Sequence, residues 1–117
     1  MAKILVVEDE EHVMELLQML LSAGGHEVLP ATNGEEALQT LASDAVDMLI
    51  TDINMPGMDG RALAASVLAN TPDLPTIFVS GDPALSAEAV ASKPNTFYIR
   101  KPFKLTEVGE AVERMLG

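Results

Sequence analysis

The sequence predicts an α/β fold: five parallel strands in one sheet, with helices on both faces. Three observations carry this. Five short runs of β-type residues recur along the 117 residues. Between them lie stretches whose apolar residues repeat at helical spacing. The two kinds of segment alternate strictly, so each strand feeds a crossover helix, the connection that parallel strands require.

The first run, KILVV (Lys3–Val7), is almost wholly apolar, as suits a strand covered on both faces. After it Val13, Leu16, Leu17 and Leu20 share one helical face, and Gly24 and Gly25 supply a C-terminal stop. EVLPA (Glu27–Ala31) is the second strand. The next helix takes Asn33 as its N-cap, with Glu36 at the capping-box spacing and Ala37, Leu38 and Leu41 as its buried stripe. DMLIT (47–51) is the third strand. The helix after it carries Leu63, Ala64, Val67 and Leu68 inward and stops before Pro72. TIFVS (Thr76–Ser80) is the fourth strand, followed by a short alanine-rich helix over 83–91. TFYIR (Thr96–Arg100) is the fifth. A last helix, Leu105–Leu116, turns Val108, Ala111, Val112 and Met115 inward. No linker, repeat or low-complexity tract interrupts residues 1–117, which read as a single domain.

Composition narrows the function. Eighteen acids against seven bases give a formal net charge of −11, which argues against nucleic acid or an anionic membrane surface as a direct partner. With no cysteine, thiol catalysis, disulfides and cysteine-ligated metals are excluded. The N-terminal MAKILVVEDE meets acid too early for a signal peptide or membrane span, so a cytoplasmic protein is expected. His12 and His26 are isolated in the sequence and read as solvated residues rather than metal ligands.

The polar residues fall where function is expected. In a parallel sheet the carboxyl ends of all strands share one rim, and ligands bind there, beside the point where strand order reverses. Strand one is followed by Glu8 and Asp9, strand three by Asp52, and strand five by Lys101 and Pro102; strand four ends on Ser80. If the order is 2-1-3-4-5, the reversal lies between strands one and three, beside all three acids. Clustered carboxylates repel one another unless a cation joins them. A few carboxylates plus water suit magnesium, with manganese as an alternative, better than a calcium cage. The ion's remaining positions, the Lys101 ammonium and the Ser80 hydroxyl would then hold phosphoryl oxygens, and a carboxylate can be the nucleophile that forms an aspartyl-phosphate. Each residue also has an ordinary reading. The acids from Glu8 to Glu11 complement a helix N-terminus, Asp52 and Ser80 are turn residues, Lys101 is a solvated charge, Tyr98 is an amphipathic strand residue, and Met55 and Met58 pack their loop.

Four motifs in order, VVEDE, TDINMPGMDG, FVSGD and YIRKPF, resemble the receiver domain of bacterial two-component response regulators over essentially the whole chain. The resemblance, closest to chemotaxis-type regulators, implies a flavodoxin-like (βα)5 three-layer sandwich. It implies phosphorylation on Asp52, with magnesium held by Glu8, Asp9, Asp52 and the backbone carbonyl of Asn54. Ser80 and Lys101 would bind the phosphoryl group, Tyr98 would be the aromatic switch, and Asn54 and Asp82 would tune dephosphorylation. A cis Lys101–Pro102 bond is also implied. The donor would be a histidine kinase or a histidine phosphotransfer protein. The response would be a changed surface over segment 83–91, the fifth strand and the last helix, read by a downstream protein target. The chain would act as a stand-alone monomer or weak homodimer. Glu8 stands where an aspartate is commoner, and Ser80 where a threonine is frequent.

Other classes fit less well. An aspartyl-nucleophile hydrolase of the haloacid-dehalogenase type needs an acid two residues after the nucleophile, where this chain has Asn54. A receiver-like module without phosphorylation has no use for the complete acid, hydroxyl and lysine set. A flavin site lacks its phosphate loop, because acids follow strand one. The expectation is therefore a phosphoacceptor that catalyses its own phosphorylation and slow dephosphorylation, and not a turnover enzyme.

Overall fold

The computed structural model describes residues 2–53, 60–71, 73–81 and 95–116. Strands β1 (Lys3–Val7), β2 (Glu27–Ala31), β3 (Met48–Asp52), β4 (Thr76–Ser80) and β5 (Thr96–Arg100) form one wholly parallel sheet in the order β2-β1-β3-β4-β5. Helices α1 (Glu11–Ala23), α2 (Gly34–Ser43), α3 (Gly60–Asn70) and α4 (Leu105–Leu116) are described. The helix expected over 83–91 lies outside the described residues, as do Asn54, Met55, Met58, Pro72 and Asp82 and the side chains of Ala64 and Leu68. Among the described residues no helix is long and apolar enough to cross a membrane.

Strand alternation builds two cores. Leu5, Val7, Leu49 and Phe78 face one side, where Ala37 of α2 and Leu63 and Val67 of α3 close over them. Ile4, Val6, Ile50, Ile77 and Ile99 face the other side, against Met14, Leu17 and Leu21 of α1 and Val108, Ala111 and Val112 of α4. Because β1, β3 and β4 are covered on both faces, their sequences run apolar with no polar alternation. Pro30 sits in β2, an edge strand, where a missing N–H costs least.

Three expectations are corrected. β3 is Met48–Asp52 instead of 47–51, because Asp47 turns its carboxylate back onto the Lys3 N–H, 2.8 Å away. At the other end the ladder continues past Thr51: Asp52 pairs with Val79, and the Ile53 N–H donates to the Val79 carbonyl at 3.1 Å. On α1 the central buried row is Met14, Leu17 and Leu21, with Val13 and Leu20 on its flank and Leu16 only half-buried. Both rows have helical spacing, and periodicity alone does not choose between neighbouring rows. His26 is half-buried instead of solvated, its Nδ1 accepting the Ala2 N–H at 3.1 Å; His12 is exposed, as expected.

The α2 cap forms with one change. Asn33 Oδ1 accepts the Glu36 N–H at 2.8 Å, but the Glu36 carboxylate reaches Thr32, not Asn33. It accepts the Thr32 N–H at 2.7 Å and the Thr32 hydroxyl at 2.8 Å, and these bonds hold its pKa below the usual glutamate value.

Candidate functional site

The carboxyl ends of β1, β3, β4 and β5 deliver the functional side chains to one rim. Past β1, the Glu8 N–H stays tied to the Ala31 carbonyl of β2 at 3.0 Å, and the Glu8 side chain turns inward to 2% exposure. Asp9, the next residue, is exposed. Asp52 closes β3 with only 6% of its surface exposed, and Ser80 closes β4 fully buried. Past β5, Lys101 reaches back across the rim. Its Nζ lies 2.9 Å from Asp52 Oδ2 and 3.1 Å from Glu8 Oε1.

Two buried carboxylates thus share one ammonium. Burial pushes the Glu8 pKa up, from 4.5 to about 7, and the neighbouring Asp52 charge adds to the rise; the Glu10 N–H and Lys101 oppose it only in part. Burial works against the Lys101 charge too, but its bonds to Asp52 and Glu8 outweigh that and leave its pKa above the ordinary value. The ammonium therefore stays charged throughout the physiological range.

Glu8, Asp9 and Asp52 each bring one carboxylate oxygen within 4.8 Å of the others. Oxygens gathered this closely are a set on which a small hard ion such as magnesium would draw. An all-oxygen, carboxylate-rich set is the chemistry a hard divalent ion selects, so these residues fit such an ion.

The ends of β4 and β5 are tied through one oxygen. The Ser80 carbonyl accepts the Lys101 N–H and the Tyr98 hydroxyl, each at 2.9 Å. Tyr98 is half-buried, and its ring packs on the core under α2 and α3. The Lys101–Pro102 bond is cis, as the resemblance implied.

Of the site residues read from the sequence, Glu8, Asp9, Asp52, Ser80 and Lys101 meet at this rim, and Tyr98 joins them through Ser80. Asn54 and Asp82 lie outside the described residues. Sequence reasoning missed the Glu10 N–H, which donates to Glu8 Oε2 at 3.1 Å and helps fix the buried carboxylate. A backbone donor of this kind has no side-chain signature.

Comparison with known proteins agrees with this arrangement. The family model of the response regulator receiver domain matches residues 4–113. The chain is 35% identical to the response regulator protein FleR of Pseudomonas aeruginosa over 97% of its own length but 24% of FleR's. It thus spans about a quarter of FleR and of the NtrC regulators it also matches. It is 32% identical to the response regulator receiver protein CpdR of Brucella abortus, over 99% of this chain and 98% of CpdR. The structure of the response regulator TrrA of Thermotoga maritima, in complex with Mg2+–BeF, superposes with a TM-score of 0.88 at 33% identity, covering 98% of this chain and 99% of TrrA. Receiver domains carry phosphorylation-dependent signalling in two-component systems, are phosphorylated by histidine kinases and bind Mg2+ at an acidic site. With its parallel sheet, its acid cluster and a family match over nearly its whole length, the chain belongs to the response regulator receiver domain family.

Proposed function

We propose that the protein is a phosphorylation switch in which Asp52 accepts a phosphoryl group from the phosphohistidine of a histidine kinase or histidine phosphotransfer protein. The observation that carries this is the convergence on Asp52 of Glu8, Asp9 and the Lys101 ammonium, at the rim where the strand order reverses. A carboxylate oxygen of Asp52 attacks phosphorus in line. The new P–O bond forms as the donor's P–N bond breaks, and the histidine nitrogen keeps the electron pair and takes up a proton. Asp52 reacts as a carboxylate and needs no base.

Mg2+, or Mn2+ in its place, would be held by Glu8, Asp9, Asp52 and the Asn54 backbone carbonyl, and supplies charge neutralisation for the phosphoryl oxygens. Lys101 adds a fixed positive charge, and the Ser80 hydroxyl a donor, to the same oxygens. Asn54 and Asp82 would tune the rate at which water slowly removes the group. Once Ser80 is drawn toward the phosphoryl group, the shared carbonyl carries the movement to Tyr98 and to β5. The surface over segment 83–91, β5 and α4 then differs between the two states, and a downstream protein reads that difference. The chain works as a cytoplasmic receiver unit, monomeric or weakly dimeric.

Labelling with radioactive acetyl phosphate and Mg2+ tests the acceptor. The wild type is expected to incorporate one phosphoryl group that is labile in alkali, and Asp52→Asn none at an unchanged circular dichroism spectrum. Equal labelling of the folded variant would place the acceptor elsewhere.

A further inference from the structure

The residue before Asp52 carries a hydroxyl where its surroundings are hydrocarbon. Thr51 is fully buried in β3, paired with Val7 of β1 on one side and Phe78 of β4 on the other, both residues of the core. Valine would fill the same space without the cost of taking a hydroxyl out of water. The hydroxyl has a partner that valine could not serve. Thr51 Oγ1 donates to the Asp52 carbonyl at 3.0 Å, inside the protein.

The place of that bond gives it a use. β1 pairs with β3 only as far as Val7 and Thr51, whereas β4 pairs one residue further, to Asp52 and Val79. Asp52 therefore stands at the end of its strand, past the last rung to β1, and the Thr51 hydroxyl ties its carbonyl there. The ring this bond closes runs through Oγ1, Cβ, Cα and C of Thr51 and N, Cα, C and O of Asp52. It contains the Thr51 ψ and the Asp52 φ, the torsions that aim the Asp52 Cβ and with it the carboxylate. In-line attack tolerates little error in that aim, since a misplacement of about 1 Å costs on the order of a hundredfold in rate. Resting on the reading of Asp52 as the phosphoryl acceptor, we infer that Thr51 is a positioning residue for the transfer: its buried hydroxyl fixes the backbone from which the Asp52 carboxylate attacks. The side chain then has two separate duties. Its methyl fills the core, and its hydroxyl aims the acceptor.

Substitution separates the two. Thr51→Val keeps the volume and removes the donor, whereas Thr51→Ser keeps the donor and removes a methyl. Labelling by radioactive acetyl phosphate at saturating Mg2+ is expected to be about tenfold slower in Thr51→Val and within about twofold of wild type in Thr51→Ser. Thermal unfolding of the same proteins shows whether the rates merely follow stability. A folded Thr51→Val as fast as wild type, or a Thr51→Ser as slow as Thr51→Val, overturns the inference and leaves Asp52 the acceptor. If Thr51→Val does not fold, Thr51→Ser and Thr51→Ala carry the same comparison, because they differ only by the hydroxyl. The serine variant is then expected to label about tenfold faster, and equal rates overturn the inference. A wild type that takes no label, or undiminished labelling of folded Asp52→Asn, overturns the acceptor reading and the inference with it.

Discussion

Glu8 is a carboxylate with 2% of its surface exposed, beside another buried carboxylate, and it has half a claim on one ammonium. Its folded pKa, about 7, lies above the unfolded value of 4.5. Below pH 4.5 Glu8 is protonated in both states and contributes nothing to the pH dependence. As pH rises from 4.5 to about 7 the unfolded chain ionises first, so the metal-free protein loses stability, and above that the loss is constant. Glu8→Gln removes the penalty and leaves Lys101 paired with Asp52. Urea unfolding without metal is expected to show the variant about 1–3 kcal/mol more stable than wild type at pH 8 and no more stable at pH 4. A wild-type advantage at pH 8 would mean that the Lys101 pairing outweighs burial. A buried acid whose burial opposes its own ionisation is reasonable for a residue kept for binding. The sequence placed Glu8 at the rim, since it follows an apolar strand. Its burial depends on the distant Ala31 carbonyl and Lys101, which the sequence does not show together.

Among the elements, α2 was legible and α1 only partly. The Asn33 cap is set by residues within one turn, and a side-chain oxygen at that position is worth about 1 kcal/mol in any helix. The inward face of α1 is set by the angle at which the helix meets Ile4 and Val6, and local spacing allows two adjacent rows. The two rows make different predictions. Met14→Ala empties a buried position and is expected to cost about 2–3 kcal/mol, whereas Leu16→Ala, half-buried on the flank, is expected to cost less than about 1 kcal/mol. Thermal unfolding of the two variants decides between the rows. The larger loss at Leu16 would restore the row expected from the sequence.

At the scale of the whole molecule, the parallel sheet gathers residues 93 positions apart, Glu8 and Lys101, into one ion pair. It also routes the end of β4 to β5 through the Ser80 carbonyl. A switch built this way moves as a connected set. Adding Mg2+ and beryllium fluoride to 15N-labelled protein is expected to shift the amide signals of Ser80, Tyr98 and Lys101 together with those of α4, and to leave β2 and α2 nearly unchanged. Shifts confined to Glu8, Asp9 and Asp52, with β5 and α4 still, would show a binding site without a transmitted response. The rim was legible because each strand is followed by a helix, which makes the sheet parallel and gathers the strand ends on one side, whereas the spatial order came only from the family resemblance. A buried parallel strand also announces itself as an unbroken apolar run.

The sequence by itself determined the number and parallel direction of the strands, and which polar residues stand at their carboxyl ends. Those features follow from local patterns, such as apolar runs, helical spacing and the residue at which each run stops. Only the tertiary structure decided that one ammonium is shared by Glu8 and Asp52, that Asp52 belongs to β3, that Tyr98 and Lys101 meet on the Ser80 carbonyl, and which row of α1 faces inward. Each of these depends on a distance between groups remote in the chain. Chain order does not fix such distances; the packing of helices onto a twisted sheet does.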